Sequence, residues 1–206
     1  MLKFILIMIF ALFVGVGNSF AGVKSGGVET NDIPRYEKER REYEEIFWIQ
    51  RDSIDGEWEV TFRRVISRYE KFLEKIGDDS EFADDAKLRI AEFYQILGQK
   101  EKAKPYLDDI IKNHPAADAY GIRKGGNNGS KTAAWALYWR AAWFGPKKGR
   151  LTENKDLLAI LKKYKDSEDV VYEVLILFPD ETKVKVIKNF GLNPKFYEIL
   201  NLKKAE

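Results

Sequence analysis

From Pro34 onward, apolar positions recur at helical spacing, and glycine and proline punctuate them into segments. Pro34 stands where a first helical residue tolerates proline, and 35–50 mixes Glu with Lys and Arg, as in the i, i+4 pair Glu37 and Arg41. Tyr36, Tyr43, Phe47 and Trp48 supply its apolar stripe. A second helix is predicted over 57–76, with Trp58, Phe62, Val65, Ile66, Tyr69, Phe72 and Leu73 on one face. It stops at Gly77, and Asp78, Asp79 and Ser80 are expected to end it and cap the next. A third helix over 81–97 is closed by Gly98. A fourth over 102–113 is stopped by Pro115, and Pro105 inside it should bend the helix or delay its start.

After Pro115 the stretch 116–130 is irregular and contains Gly121, Gly125, Gly126 and Gly129. An Ala- and Trp-rich helix follows over 131–144, ended by Gly145 and Pro146. Further helices are predicted over 153–164 and 168–178, with short ones at 183–189 and 194–200. The run Val170 to Phe178 is rich in β-branched residues, so a strand is the alternative there.

One stretch is more specific than amphipathicity. Ala91, Tyr94, Gly98, Ala103, Leu107, Ile110 and Pro115 fall at the relative positions of the small, aromatic, turn and terminal residues of a tetratricopeptide repeat, so that 84–117 resembles that family. Small residues at Ala91 and Ala103 would let two antiparallel helices approach, Tyr94 would fill the groove between them, and Gly98 would make the turn. Residues 68–85 and 163–172 repeat the theme in degenerate form. A single repeat cannot bury its own apolar face, so an array is expected. The style is similar to exported repeat proteins of bacterial envelopes, notably the lipoprotein of the β-barrel assembly machine and the TolA-binding cell-division coordinator. The expected fold is all-α, with antiparallel helix pairs stacked over 34–206 as a short TPR-like right-handed superhelix, capped by helices in about 168–206.

Composition narrows this picture. The 206 residues are 45% apolar and 14% aromatic, enough for one substantial core. The 35 basic and 33 acidic residues are interspersed and leave a formal charge of +2, which carries no electrostatic footprint for nucleic acid. There is no cysteine, which removes disulfides, thiol nucleophiles, Cys-type zinc sites and lipid attachment through an N-terminal Cys. Residues 1–21 read as a secretory signal: Lys3 is the positive region, 4–16 the apolar stretch, and Ser19 and Ala21 the small residues before a cut at Gly22. Residues 22–33 read as a flexible lead-in. The alternative is an uncleaved anchor, the one case in which a membrane would be a partner.

Four features carry candidate chemistry. Residues 125–132, GGNNGSKT, come within one residue of a phosphate-binding loop, with Ser130 in place of the second glycine; without β-α alternation a plain inter-helix loop is the stronger reading. His114 is the only histidine, and at a helix end it favours the helix dipole rather than a metal or a triad. The acid pairs Asp78–Asp79, Asp84–Asp85 and Asp108–Asp109 could serve acid–base work, but adjacent helical residues diverge and the first two pairs suit capping. Trp135, Trp139 and Trp143, with Tyr138 nearby, place three indoles along one helix: a docking patch, or core packing among alanines.

No catalytic set, metal site or cofactor emerges. The resemblance implies a non-catalytic periplasmic scaffold that binds a peptide or partner protein, with peptidoglycan a further candidate partner and nucleic acid none. The alternative is an accessory or degenerate member of the peptidoglycan lytic enzymes, whose helical superhelices have stretches similar to LYWRAAW at 137–143; a third is self-association. N-terminal sequencing of the processed protein is expected to return Gly22. A mature chain beginning at Met1 would contradict the signal-peptide reading.

Overall fold

The computed structural model describes residues 34–52, 58–120, 130–145 and 153–202. The predicted signal, its cleavage site and the lead-in lie outside them. The described residues are helical throughout: α1 Arg35–Asp52, α2 Trp58–Ile76, α3 Ala83–Ile96, α4 Lys100–Asn113, α5 Thr132–Phe144, α6 Lys155–Lys163, α7 Glu168–Ile176, α8 Asp180–Phe190 and α9 Lys195–Ile199. From α1 to α9 the order follows the predicted segments, and the β-branched run from Val170 is helical. Among the described residues no helix is long and apolar enough to cross a membrane.

Several boundaries differ from expectation, and two of them bear on the packing around α3. The fourth helix starts at Lys100, two residues earlier than predicted, so Pro105 does not delay it. Pro105 lies on the exposed side, where the Glu101 carbonyl that it leaves without an N–H can turn to water. The third helix starts at Ala83, and its N-cap position is Phe82, with no side-chain cap. The expected caps are engaged elsewhere: Asp78 pairs with Lys87, Asp79 with Arg35, and the Ser80 hydroxyl donates to Glu39 at 2.6 Å. Gly98 ends α3 at φ +72°, where Gly98 N–H donates to Gln95 and Gln99 N–H to Tyr94. That left-handed geometry is why glycine stands there.

Successive helices pack on one another: α1 on α2, α2 on α3, α3 on α4, α4 on α5, α5 on α6, α6 on α7 and α7 on α8. Alternate helices also meet, α3 with α5 and α5 with α7. The apolar interior falls into two clusters. One gathers Tyr43 and Ile46 of α1, Val65, Tyr69 and Phe72 of α2, and Phe82. The other runs from Leu107 and Ile110 of α4 through Trp135 of α5 to Ile160, Val174, Ile187 and Phe196.

Helix α3 is the wall between the two. Ala83, Ala86, Ile90 and Phe93 face the first cluster, and Leu88 and Ala91 the second. Ten of its 14 residues are buried, so it has no broad solvent-facing stripe. Ala103 on α4 is fully buried in the second cluster with Ala91. Ala103→Leu is expected to lower the thermal midpoint, by an overpacking cost of about 1–3 kcal/mol. Thermal or urea denaturation checks it; an unchanged midpoint would show that the two helices are not in close contact.

Candidate functional site

The residues singled out in the sequence divide between two places. Ala91, Ala103, Leu107 and Ile110 are fully buried between α3, α4 and their neighbours. Tyr94 is half-buried and stacks on Tyr106 with ring centroids 6.1 Å apart. Both hydroxyls donate to Glu70, at 3.2 and 3.0 Å. Pro115 is exposed just beyond α4.

The indoles form a ladder on α5. Trp135 is 4% exposed and belongs to the core, whereas Tyr138, Trp139 and Trp143 are half-buried and pack against it. Trp135 meets Tyr138 edge-on at 6.1 Å and Trp139 at 6.4 Å, and Trp139 stacks on Trp143 at 5.3 Å. Four residues advance an α-helix by about 400°, so over two steps the row rotates about 80°. That drift carries the stripe from the interior at Trp135 to the margin at Trp143.

A second place was not foreseen. Asp84 and Asp85, expected as capping carboxylates at a helix start, are each only 1% exposed. They sit in the first turn of α3, whose residues 83–91 are all buried. Asp85 accepts from the Tyr120 N–H with both oxygens, at 2.9 and 3.0 Å. Tyr120 itself is locked: its ring lies edge-on to Phe82 at 5.3 Å and to Tyr43 at 5.9 Å, and its hydroxyl donates to Glu44 at 2.7 Å. Asp84 faces Thr132 at the start of α5, and the two buried atoms Asp84 Oδ2 and Thr132 Oγ1 close no hydrogen bond within the chain.

Tyr120 and Thr132 are the two sides of a backbone clasp. Ala119 N–H donates to the Ser130 carbonyl at 2.9 Å, Thr132 N–H to the Ala117 carbonyl at 3.1 Å, and Asp118 and Lys131 form an isolated antiparallel bridge. Lys131 N–H donates to the Ser167 hydroxyl at 3.0 Å, which ties the clasp to the start of α7. Of the adjacent carboxyls of α3, Asp85 holds one arm through the Tyr120 N–H, and Asp84 faces the other.

Burial pushes the Asp85 carboxyl well above the usual carboxylate range, and the neighbouring Asp84 charge adds to it; the Tyr120 N–H and Arg89 pull back only in part. Asp84 is raised as well, again by burial first. Carboxyls whose hold on the proton is raised have the character of general acids. At 1% exposure neither meets a substrate, and their partners are backbone and side chains of the fold.

One turn along α3, Lys87 reaches Asp78 at 2.8 Å, Asp109 at 2.5 Å and His114 Nε2 at 3.1 Å. Burial alone would depress Lys87, but Asp109 and Asp78 more than offset it and hold the ammonium charged. A charged ammonium only donates, so His114 Nε2 accepts and the ring proton sits on Nδ1. This also removes Lys87 as an amine nucleophile. His114, expected to serve the helix dipole, instead closes the junction of α3 and α4. Arg89, on the other side, pairs with Glu92 at 2.8 Å and lies over the Phe47 ring at 5.3 Å. The third acid pair splits outward: Asp108 takes Lys104 and Arg140, and Asp109 takes Lys87 and Asn113.

Of the phosphate-loop-like GGNNGSKT, 125–129 lie outside the described residues. The lysine that would reach phosphate, Lys131, is paired with Asp118 at 2.6 Å. Ser130 is buried in the clasp. Among the described residues no group of three or more acids and histidines is placed to hold a metal ion.

The raised carboxyls fix a sign. The ordinary carboxyl value is 3.8, and the folded values of Asp84 and Asp85 lie above it. Between these limits the folded chain binds more protons than the unfolded one, so this contribution is complete below 3.8 and is lost as pH rises through the folded values. Asp85→Asn keeps an acceptor for Tyr120 and removes the charge. Thermal midpoints from pH 4.5 to 8 are expected to fall less steeply with pH in Asp85→Asn than in the parent. Asp85→Ala strands the Tyr120 N–H and is expected to cost about 1–3 kcal/mol at pH 4.5 and less as pH rises through the folded value. Parallel pH profiles for parent and Asp85→Asn would refute the assignment.

No family model, curated protein or solved structure matches the chain.

Proposed function

We propose that the chain is an exported TPR-like scaffold whose row of alternate helices, α3, α5 and α7, binds a peptide or partner protein of the cell envelope. The observation that supports this most directly is the contact of α3 with α5 and of α5 with α7, alongside the packing of each helix on its successor. Two rows of helices, one made of alternate members, are what stacked helix pairs produce, and such stacks offer one extended face to a ligand. The interior positions of Ala91, Ala103, Leu107 and Ile110 and the left-handed turn at Gly98 agree with the repeat over 84–117. The half-buried Trp139 and Trp143 lie on the middle helix of that row, where aromatic rings have the character of binding anchors.

Photo-crosslinking in the envelope tests the reading. A crosslinking amino acid at Glu92 on α3, Ala142 on α5 or Ile176 on α7 is expected to yield a discrete protein adduct, and one at Lys104 or Lys112 on α4 is expected to yield none. Adducts at α4 only, or release of muropeptides from purified peptidoglycan by the chain alone, would overturn it.

A further inference from the structure

We propose that Tyr94 and Tyr106 form a modification site at which one-electron oxidation joins α3 to α4 through a dityrosine bond. The two rings stack, with centroids 6.1 Å apart and planes 30° from parallel. Both hydroxyls donate to the same atom, Glu70 Oε1 on α2, at 3.2 and 3.0 Å. A shared acceptor draws the two phenol ends together, and the carbons that flank the hydroxyls are the ones that couple in a dityrosine.

Among the described residues two other tyrosine pairs have rings this close, Tyr43 with Tyr69 at 5.6 Å and Tyr43 with Tyr120 at 5.9 Å. Both include Tyr43, which is 3% exposed and whose hydroxyl has no carboxylate to take its proton. Tyr94 and Tyr106 are half-buried, within reach of a small oxidant, and they combine stacked rings with a common base.

That base decides the chemistry. An electron leaves a phenol readily when the proton leaves with it; the alternative is a ring cation, which the Lys102 ammonium, 5.6 Å over the Tyr94 ring, opposes. Burial and the facing Glu70 charge hold both phenol protons, so no phenolate stands ready. Glu70 lies at the distance from which a general base takes a proton, and being half-buried it can pass that proton to water between the two oxidations.

Each ring in turn gives one proton to Glu70 and one electron to the oxidant. The two phenoxyl radicals join through a carbon ortho to each hydroxyl, and the hydrogen on each of those carbons moves to the oxygen, which restores both phenols. The oxidant is a peroxide acting in one-electron steps through a haem or a photo-excited metal complex. Hydrogen peroxide takes up the two electrons and two protons and leaves as two molecules of water. The new bond closes a covalent loop around the turn at Gly98.

Irradiation of the dilute full chain with ruthenium tris-bipyridine, and persulfate as the peroxide, tests this. Peptide mapping of the monomer is expected to find the Tyr94 peptide linked to the Tyr106 peptide, two hydrogens lighter than their sum. Tyr94→Phe and Tyr106→Phe keep both rings and are each expected to abolish that species. Glu70→Gln keeps an acceptor but no base. It is expected to slow the linkage about tenfold in dilute buffer, and added imidazole base is expected to restore the rate. All three variants are expected to keep the circular dichroism of the parent. Monomer linked instead at Tyr43, or dimers linked only between chains, would overturn the proposal. So would a Glu70→Gln rate equal to that of the parent.

Discussion

A stretch of helix packed on every side has nowhere to turn its ionisable side chains except toward its neighbours, and residues 83–91 of α3, all buried, carry four of them at Asp84, Asp85, Lys87 and Arg89. Each goes to a different element. Asp84 faces the start of α5, and Asp85 holds the linker at Tyr120. Lys87 joins the turn before α3 to the end of α4, and Arg89 reaches the ring of Phe47 on α1. Burial of paired charges adds little net stability, because desolvation cancels most of the attraction, but an unmatched buried charge costs about 3–5 kcal/mol. The arrangement therefore acts less by strengthening the fold than by penalising every packing in which α1, α4 or α5 lies on the wrong side of α3.

That role explains what could and could not be read from the residues alone. Helix limits were legible wherever glycine or proline marks them, as at Gly77, Gly98, Pro115 and Gly145, because a backbone constraint is local. Pro105 misled, since its cost depends on whether the freed Glu101 carbonyl faces water, and that is set by packing. Asp84 and Asp85 read as first-turn carboxylates, which they are; their burial is a property of the neighbours. A signal was nonetheless present. Ala83, Ala86 and Ala91 lie on different sides of α3 and its charges are spread among them, whereas a surface helix such as α2 keeps charge on one arc. The clasp left no pattern at all, because arms of three residues are too short for any period to show.

The two apolar clusters meet at this same helix. Leu88 and Ala91 belong to one, and Ala86, Ile90 and Phe93 to the other, within three turns. A change in the N-terminal helices can thus reach the α5 ladder through α3, through Tyr106 of α4, whose hydroxyl donates to Glu70 of α2, or through Tyr120, whose ring sits on Tyr43 and Phe82 while its amide is held by Asp85. The joint is narrow and polar, unlike the two apolar interiors that it connects, and it is where the charge state of one dyad bears on both.

The clasp has a consequence for how the sequence can vary over time. Ala119 and Ser130 are bonded directly through their backbones, so the helices on either side are positioned without reference to whatever joins residues 120 and 130. The closure cost of a loop grows only slowly with its length, by about 0.6 kcal/mol per doubling. Sequence can therefore be gained or lost there while α4 and α5 keep their register, which makes 121–129 the place where lineages of this protein would be free to diverge in length and where a foreign segment could be grafted with least harm to the body.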